Sequence, residues 1–173
     1  MAINTLQEKF IHELGDIYDA EHQFLEAQQM MQEQATSETV LALFEKHIPE
    51  TEKQIQNLEK VFEILGEKPE RVKCQGATGL VTEGNKLLKE TAENPALADL
   101  AIAGANAKVE HYEISCYEGL IIGAEMMGQK EIVKLLKQNL KQEQQTSKKI
   151  SETLPELLEE AMGSEESGMA ASA

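Results

Sequence analysis

The sequence predicts an all-α protein, an antiparallel four-helix bundle with one long crossover connection that carries a short extra helix. Three observations lead there. The 173 residues are 41% hydrophobic but only 4% aromatic, with no Trp, so Leu, Ile, Ala and Met must fill the interior. Together with abundant Glu, Lys and Gln this composition favours helix. Apolar residues recur at three- and four-residue spacing, and no stretch alternates apolar with polar for long. Finally, loop signals divide the chain unequally, with two tight turns and one long connection between the long helical stretches.

Asn4 and Thr5 are N-cap candidates for the first helix, which runs without Pro to about Gln34. Ile3, Phe10, Ile17, Phe24 and Met31 recur every seven residues, with Leu14, Glu21 and Gln28 in the complementary positions, the stripe expected of a bundle helix. Thr36 or Ser37 caps a second helix that ends at Leu65, before a C-capping Gly66. Its stripe is Val40, Phe44, His47, Thr51, Gln54, Leu58, Val61 and Leu65, and Pro49 inside it predicts a kink. Residues 67–78 form a loop in which Cys74 is expected to be exposed, and a short amphipathic helix follows to Thr91. Asn94-Pro95 opens a third long helix, rich in Ala and Gly, that ends at Gly128. The fourth runs from Gln129 to about Met162, and Gly163 opens a tail expected to be disordered. The folded domain is thus expected over 1–162 and the tail over 163–173. Each long helix has about 30 residues and a length of about 45 Å.

The formal charge is −15, from 31 acidic and 16 basic residues. Such a chain repels nucleic-acid phosphates and anionic membranes, so neither is an expected partner. No apolar run approaches the roughly 18 residues needed to span a bilayer. Residues 1–10 read as a helix start rather than a signal peptide. Two cysteines, Cys74 and Cys116, make no disulfide framework, so the expected compartment is cytoplasmic.

The polar residues on the stripes carry the chemistry. Glu21 lies on the first, His47 on the second with Glu50 one turn on, Glu110 on the third with Glu113 one turn on, and Glu143 on the fourth. Residues three apart on a helix share a face. Glu21 and Glu50 each lie about 14 residues, or about 22 Å, from the first turn at 1.5 Å per residue. Glu113 and Glu143 each lie 15 residues from Gly128. All six are therefore expected at mid-bundle. Buried carboxylates without partners cost several kcal/mol each, and no Lys or Arg lies on these stripes at that height. Protons or metal cations must balance them. Two divalent ions supply four positive charges, and carboxylate oxygen with a single imidazole suits iron or manganese better than structural zinc. The six form the candidate metal-ligand set, with no catalytic residue assigned. Taken singly, a Glu on such a stripe reads as a rim residue and a His as a packed core residue; the coincidence of height makes the case. Tyr18 and Tyr117, near the same height, can hydrogen-bond a ligand or simply pack.

The blocks that surround these positions are specific. Glu13-Leu14-Gly15-Asp16-Ile17-Tyr18-Asp19-Ala20-Glu21-His22-Gln23, then His47 to Thr51 with Gln54 and Leu58, then Val109-Glu110-His111-Tyr112-Glu113-Ile114 with Tyr117, and Leu140 with Gln142-Glu143 resemble the YciE/YciF stress-protein family of the ferritin-like proteins. The resemblance covers nearly the whole chain except the tail. It implies a rubrerythrin-related bundle, commonly a homodimer, with a di-metal centre and expression linked to stress. The wider superfamily uses such centres for ferroxidase, peroxidase, catalase and oxygenase chemistry. This sequence departs from the usual Glu-x-x-His pairs: it has His47-x-x-Glu50, Glu110-x-x-Glu113, and Thr146 where a His is expected after Glu143.

Three functions compete on this reading. One is a centre of two iron ions, or manganese, acting on peroxide or dioxygen. A second is metal binding without turnover, and the third is a structural bundle with a vestigial site. Without a Cys-rich segment the chain has no built-in electron donor. DNA binding of the starved-cell ferritin type would need a basic arm, and the N-terminus offers only Lys9.

Overall fold

The computed structural model describes residues 2–171, with side chains through Ser164. Five helices follow one another: α1 (Leu6–Gln32), α2 (Glu38–Leu65), α3 (Gln75–Thr91), α4 (Pro95–Met126) and α5 (Lys130–Ala171), with no strand among the described residues. Local chemistry sets the boundaries. Thr5 and Glu8 form a reciprocal capping box at the start of α1. Asn94 accepts from the amides of Ala96 and Leu97 ahead of Pro95. Gly66 and Gly128 end their helices at φ 75° and 71°, a region open to Gly without a Cβ clash.

Two expectations about helix ends need correction. Ser37 stands at the N-cap of α2, but its side chain makes no capping bond. Asp99 of α4 supplies the cap instead, accepting from Thr36 N at 2.9 Å, Thr36 Oγ1 at 2.6 Å and Ser37 N at 2.9 Å. The helix expected to stop near Met162 continues as helical backbone through Ala171. Glu, Met and Ala in that stretch favour helix, and its two Gly cost only about 1 kcal/mol each. Of the stretch expected as a tail, 172–173 lies outside the described residues. Both α2 and α5 run unbroken across Pro49 and Pro155, each on an exposed surface where water can take the freed carbonyl.

The long helices adjoin in the cycle α1, α2, α5, α4, so that α1 faces α5 and α2 faces α4 across the interior. The crossover, residues 66–94, lays α3 against α1 and α4. Its approach is close: a Cβ on Gly15 would lie 2.7 Å from Val72 Cγ2 and 2.9 Å from Glu70 O, and one on Gly84 would lie 3.2 Å from Ala105 Cβ. Asp19 clamps the strap, accepting from Arg71 Nε (2.7 Å), Cys74 N (2.8 Å) and Gln23 Nε2 (2.6 Å). Cys74, expected to be exposed, is buried. Its sulfur caps α3 through Ala77 N at 3.4 Å and contacts the Tyr112 hydroxyl at 2.9 Å. Burial pushes the Cys74 thiol up, and that of Cys116 up to about 12, so both are neutral packed thiols.

The predicted stripes are buried from Phe10 onward, whereas Ile3 is 48% exposed because it precedes α1. The apolar interior forms two separate clusters. One includes Phe10, Ile17, Leu58, Tyr117 and Leu136; the other includes Met31, Phe44, Ile102 and Ile150. On α2 and α5 the charged residues occupy the interval between them, and on α4 they stand at the near end of the first cluster, between Val109 and Tyr117.

Candidate metal centre

Four ligand-bearing side chains meet in that interval. His47 of α2, Glu110 and Glu113 of α4 and Glu143 of α5 are all buried, and each offers a ligand atom within 4.8 Å of the others. Glu110 and Glu113, three apart on a helix, point the same way. The α4–α5 turn sets Glu143 opposite them, as the equal residue counts from Gly128 required.

Glu21 is equally buried but stands outside this tightest group. Its Oε1 accepts a short hydrogen bond from the Tyr117 hydroxyl, while its charge is felt by both His47 and Glu113. Glu50 lies at the rim, with its side chain 19% exposed and Oε2 3.8 Å from His47 Nδ1. Its Oε1 is 3.6 Å from Lys46 Nζ. Lys46 is on the exposed face of α2 rather than on its stripe, but its long stem carries the ammonium to the rim.

The electrostatics match a site short of positive charge. Burial pushes the Glu21 carboxyl up to about 8, opposed by Tyr117 and His47 and reinforced by Glu110. Burial and then the neighbouring carboxylates hold Glu113 and Glu143 well above the usual range. Burial disfavours a charged His47, but Glu110, Glu50 and Glu21 outweigh it and lift the imidazole to about 9. Glu50 moves the other way, lowered by the His47 contact despite partial burial, with help from Lys46.

Hydrogen bonding leaves the centre unfinished. His47 Nε2 lies 3.1 Å from Glu110 Oε1, but outside hydrogen-bond geometry. No hydrogen bond reaches Glu21 Oε2, His47 Nε2, either oxygen of Glu110, Glu113 Oε2 or Glu143 Oε2. Buried polar atoms rarely go unpaired. Six of them converging from four helices have the donor chemistry of a cation site: hard oxygens and one imidazole nitrogen. These residues fit a metal ion.

A surrounding set of neutral groups orients the charged ones. Thr146 Oγ1 lies 3.2 Å from His47 Nδ1, which turns Nε2 inward, the usual outer partner of a ligating imidazole. So the position where a His was expected after Glu143 serves the one His present. Gln54 donates a short hydrogen bond to Glu143 Oε1. Tyr117 accepts from Asn139 Nδ2 at 3.0 Å, and Asn139 accepts from Asn57 Nδ2 at 2.8 Å, so the phenol proton is left for Glu21. The sequence reading had weighed Tyr117 but passed over Asn139. The signal was there, a polar residue four before Glu143 on the same stripe. Tyr18 bonds Glu59 at 3.1 Å instead of a ligand. His111 is exposed, and Tyr112 turns to the crossover.

Fold and site together define a class: an all-α protein whose interior brings together a buried histidine–carboxylate group able to hold a metal ion. Comparison supplies the family. A family model described as a domain of unknown function, DUF892, matches residues 5–163, and the chain belongs to that family. It is homologous to protein YciF of Escherichia coli K12, 35% identical over 153 residues that cover 88% of this chain and 92% of that protein. The crystal structure of the E. coli stress protein YciF superposes with a TM-score of 0.85 at 34% identity, covering 91% of this chain and 99% of the other. YcfI from Rhodopseudomonas palustris gives a TM-score of 0.83 at 39% identity, with 86% and 94% covered. A Xanthomonas campestris protein, 18% identical with a TM-score of 0.75 over 94% and 99% of the two chains, shares the fold alone.

Proposed function

We propose that this chain is a stress-associated protein of the ferritin-like kind, an antiparallel four-helix bundle with one long crossover, and that its interior holds a carboxylate-rich centre of two iron or manganese ions. Glu21, His47, Glu50, Glu110, Glu113 and Glu143 are the proposed ligands. The observation that carries this reading is the convergence of unpaired buried oxygens around His47. The stress association rests on the relative named as a stress protein. The homodimer remains an expectation from the resemblance, to be measured by sedimentation.

Two such ions supply one electron each, the two that reduction of peroxide to two waters takes along with two protons. The chain's own residues do the rest. Thr146 holds the His47 tautomer, while Tyr117 and Gln54 each fix one oxygen of Glu21 and Glu143 and leave the other facing inward. The apolar clusters on either side exclude bulk water. Binding without turnover is the second reading. It is favoured by the single nitrogen donor and by the place of Glu21 and Glu50 outside the tightest group.

The test is direct. Chelator-treated protein is titrated with Fe(II) or Mn(II) without oxygen, and metal per chain is counted. The proposal expects two per chain and a new absorption on adding hydrogen peroxide. Stoichiometric metal without a redox response supports binding alone, and a chain that takes up no metal overturns the proposal.

A further inference from the structure

A second feature touches the centre from one side. Between α2, α4 and α5 lies a cavity of about 10 Å³, roughly the room one water-sized molecule needs. His47 and Glu110 form its inner wall; Leu43, Phe44, Ala103 and Ile150 form most of the rest. His47 Nε2 and both oxygens of Glu110 are among the atoms without a hydrogen-bond partner, and both side chains are at least 95% buried. The cavity therefore adjoins the unfinished edge of the centre, while its other walls are mainly apolar, with Asn106 and Thr146 the polar exceptions.

Leu43 also lines a second, open space. On its outer side a surface cleft of about 470 Å³ runs between α2 and α5, edged by Lys46, Lys148, Lys149 and Glu152. Leu43 is half-buried and is the side chain common to both. This cleft carries three ammonium groups and one carboxylate on a protein of net charge −15. Lys46 and Lys148 are paired with Glu50 and Glu152 at 3.6 and 3.8 Å, so the mouth itself selects weakly by charge. Beyond it, an ion of either sign would shed its hydration against mainly apolar walls, whereas a small neutral molecule meets no such cost.

We propose that the α2–α5 cleft and the cavity behind Leu43 are the entry route for a small neutral oxidant of hydrogen peroxide or dioxygen size, with Leu43 setting the size limit. This rests on the reading of the interior as a metal centre and adds the path by which its oxidant arrives and the residue that limits the oxidant's size.

Two measurements test it. In metal-free protein, dissolved dioxygen under pressure relaxes nearby methyl groups in NMR. The Ala103 and Ile150 methyls are expected to relax faster than those of Leu14, which is as deeply buried in the other cluster, and Leu43→Phe is expected to erase the difference. In Fe(II)-loaded protein, oxidation by hydrogen peroxide is compared with that by tert-butyl hydroperoxide. The parent is expected to prefer the small oxidant by roughly tenfold or more, and Leu43→Ala to narrow that ratio at unchanged iron content. Should both Leu43 variants bind iron and keep the parent's ratio, or the Ala103 and Ile150 methyls relax no faster than Leu14, the route is wrong while the metal centre stands. Failure of every variant and the parent to take up iron removes the centre and the route with it.

Discussion

At the scale of single residues, the centre is built from groups that harm the fold in the absence of a cation. Glu113 is 1% exposed and has an oxygen with no hydrogen bond, and nearby carboxylates raise its proton affinity further. Glu113→Gln keeps the shape and removes the charge. In metal-free protein at about pH 8 it is expected to add about 1–3 kcal/mol of stability, because burying the parent carboxyl requires holding a proton that the unfolded chain releases, and the amide needs none. The same change is expected to weaken metal binding by at least about tenfold, because an amide oxygen replaces an anionic ligand. Denaturant titrations with and without Fe(II) read both signs. A residue that merely packed would lose stability in each condition. Tyr117→Phe is expected to act in the opposite sense in the metal-free protein. Among the described residues its hydroxyl is the only hydrogen-bond donor to Glu21 Oε1, and stranding a buried carboxylate oxygen costs about 1–3 kcal/mol. Urea unfolding of the two variants side by side separates a ligand from the group that positions it.

At the scale of elements, the first-helix block Gly15 to Gln23 does two jobs on two faces. Glu21 faces inward to the centre. Gly15, Asp19 and Gln23 face the crossover, where Val72 N donates to Gly15 O at 3.0 Å and Asp19 gathers Arg71 and Cys74. Gly15→Ala puts a carbon within 2.7 Å of Val72 Cγ2 and 2.9 Å of the Glu70 carbonyl. A side chain can yield, but backbone cannot without moving the strap. Overpacking of this kind costs typically about 1–3 kcal/mol, and limited proteolysis within residues 67–74 is expected to quicken with it. That division of labour explains what was legible in the sequence. The heptad stripes give the four long helices, and equal counts from each turn bring Glu113 and Glu143 to one height, because helical rise is nearly constant. Contacts between distant elements leave no such period. The Asp99 cap on α2, the Asp19 clamp and the burial of Cys74 all depend on how α4 and the crossover dock, which side-chain spacing along one helix does not encode. Glu50 reaches only the rim, whereas Glu113, equally three residues from an inward-facing partner, is buried; that difference depends on what packs against each helix, which spacing along it does not carry.

At the scale of the whole molecule, the shifted carboxyls and the histidine make stability depend on pH with a defined sign. Glu21 titrates at about 8 in the folded chain against 4.5 when unperturbed. Between those values the folded state keeps a proton that the unfolded state has released, so stability falls as pH rises. His47, lifted from 6.5 to about 9, works in the same direction over its own window, and Glu113 and Glu143 add to it. Glu50 is lowered, so its own window lies below 4.5 and it leaves the slope above that unchanged. The melting temperature of metal-free protein is therefore expected to fall steadily from about pH 5.5 to about pH 8.5. A bound cation displaces those protons and takes over their role, and metal binding that releases protons tightens as pH rises. The gap in melting temperature between loaded and metal-free protein is thus expected to widen across the same window. A melting temperature that stays flat or climbs in the metal-free protein would mean the interior carboxylates are already neutralised by partners within the chain. With their charge accounted for in that way, the bundle would have no electrostatic reason to bind a metal.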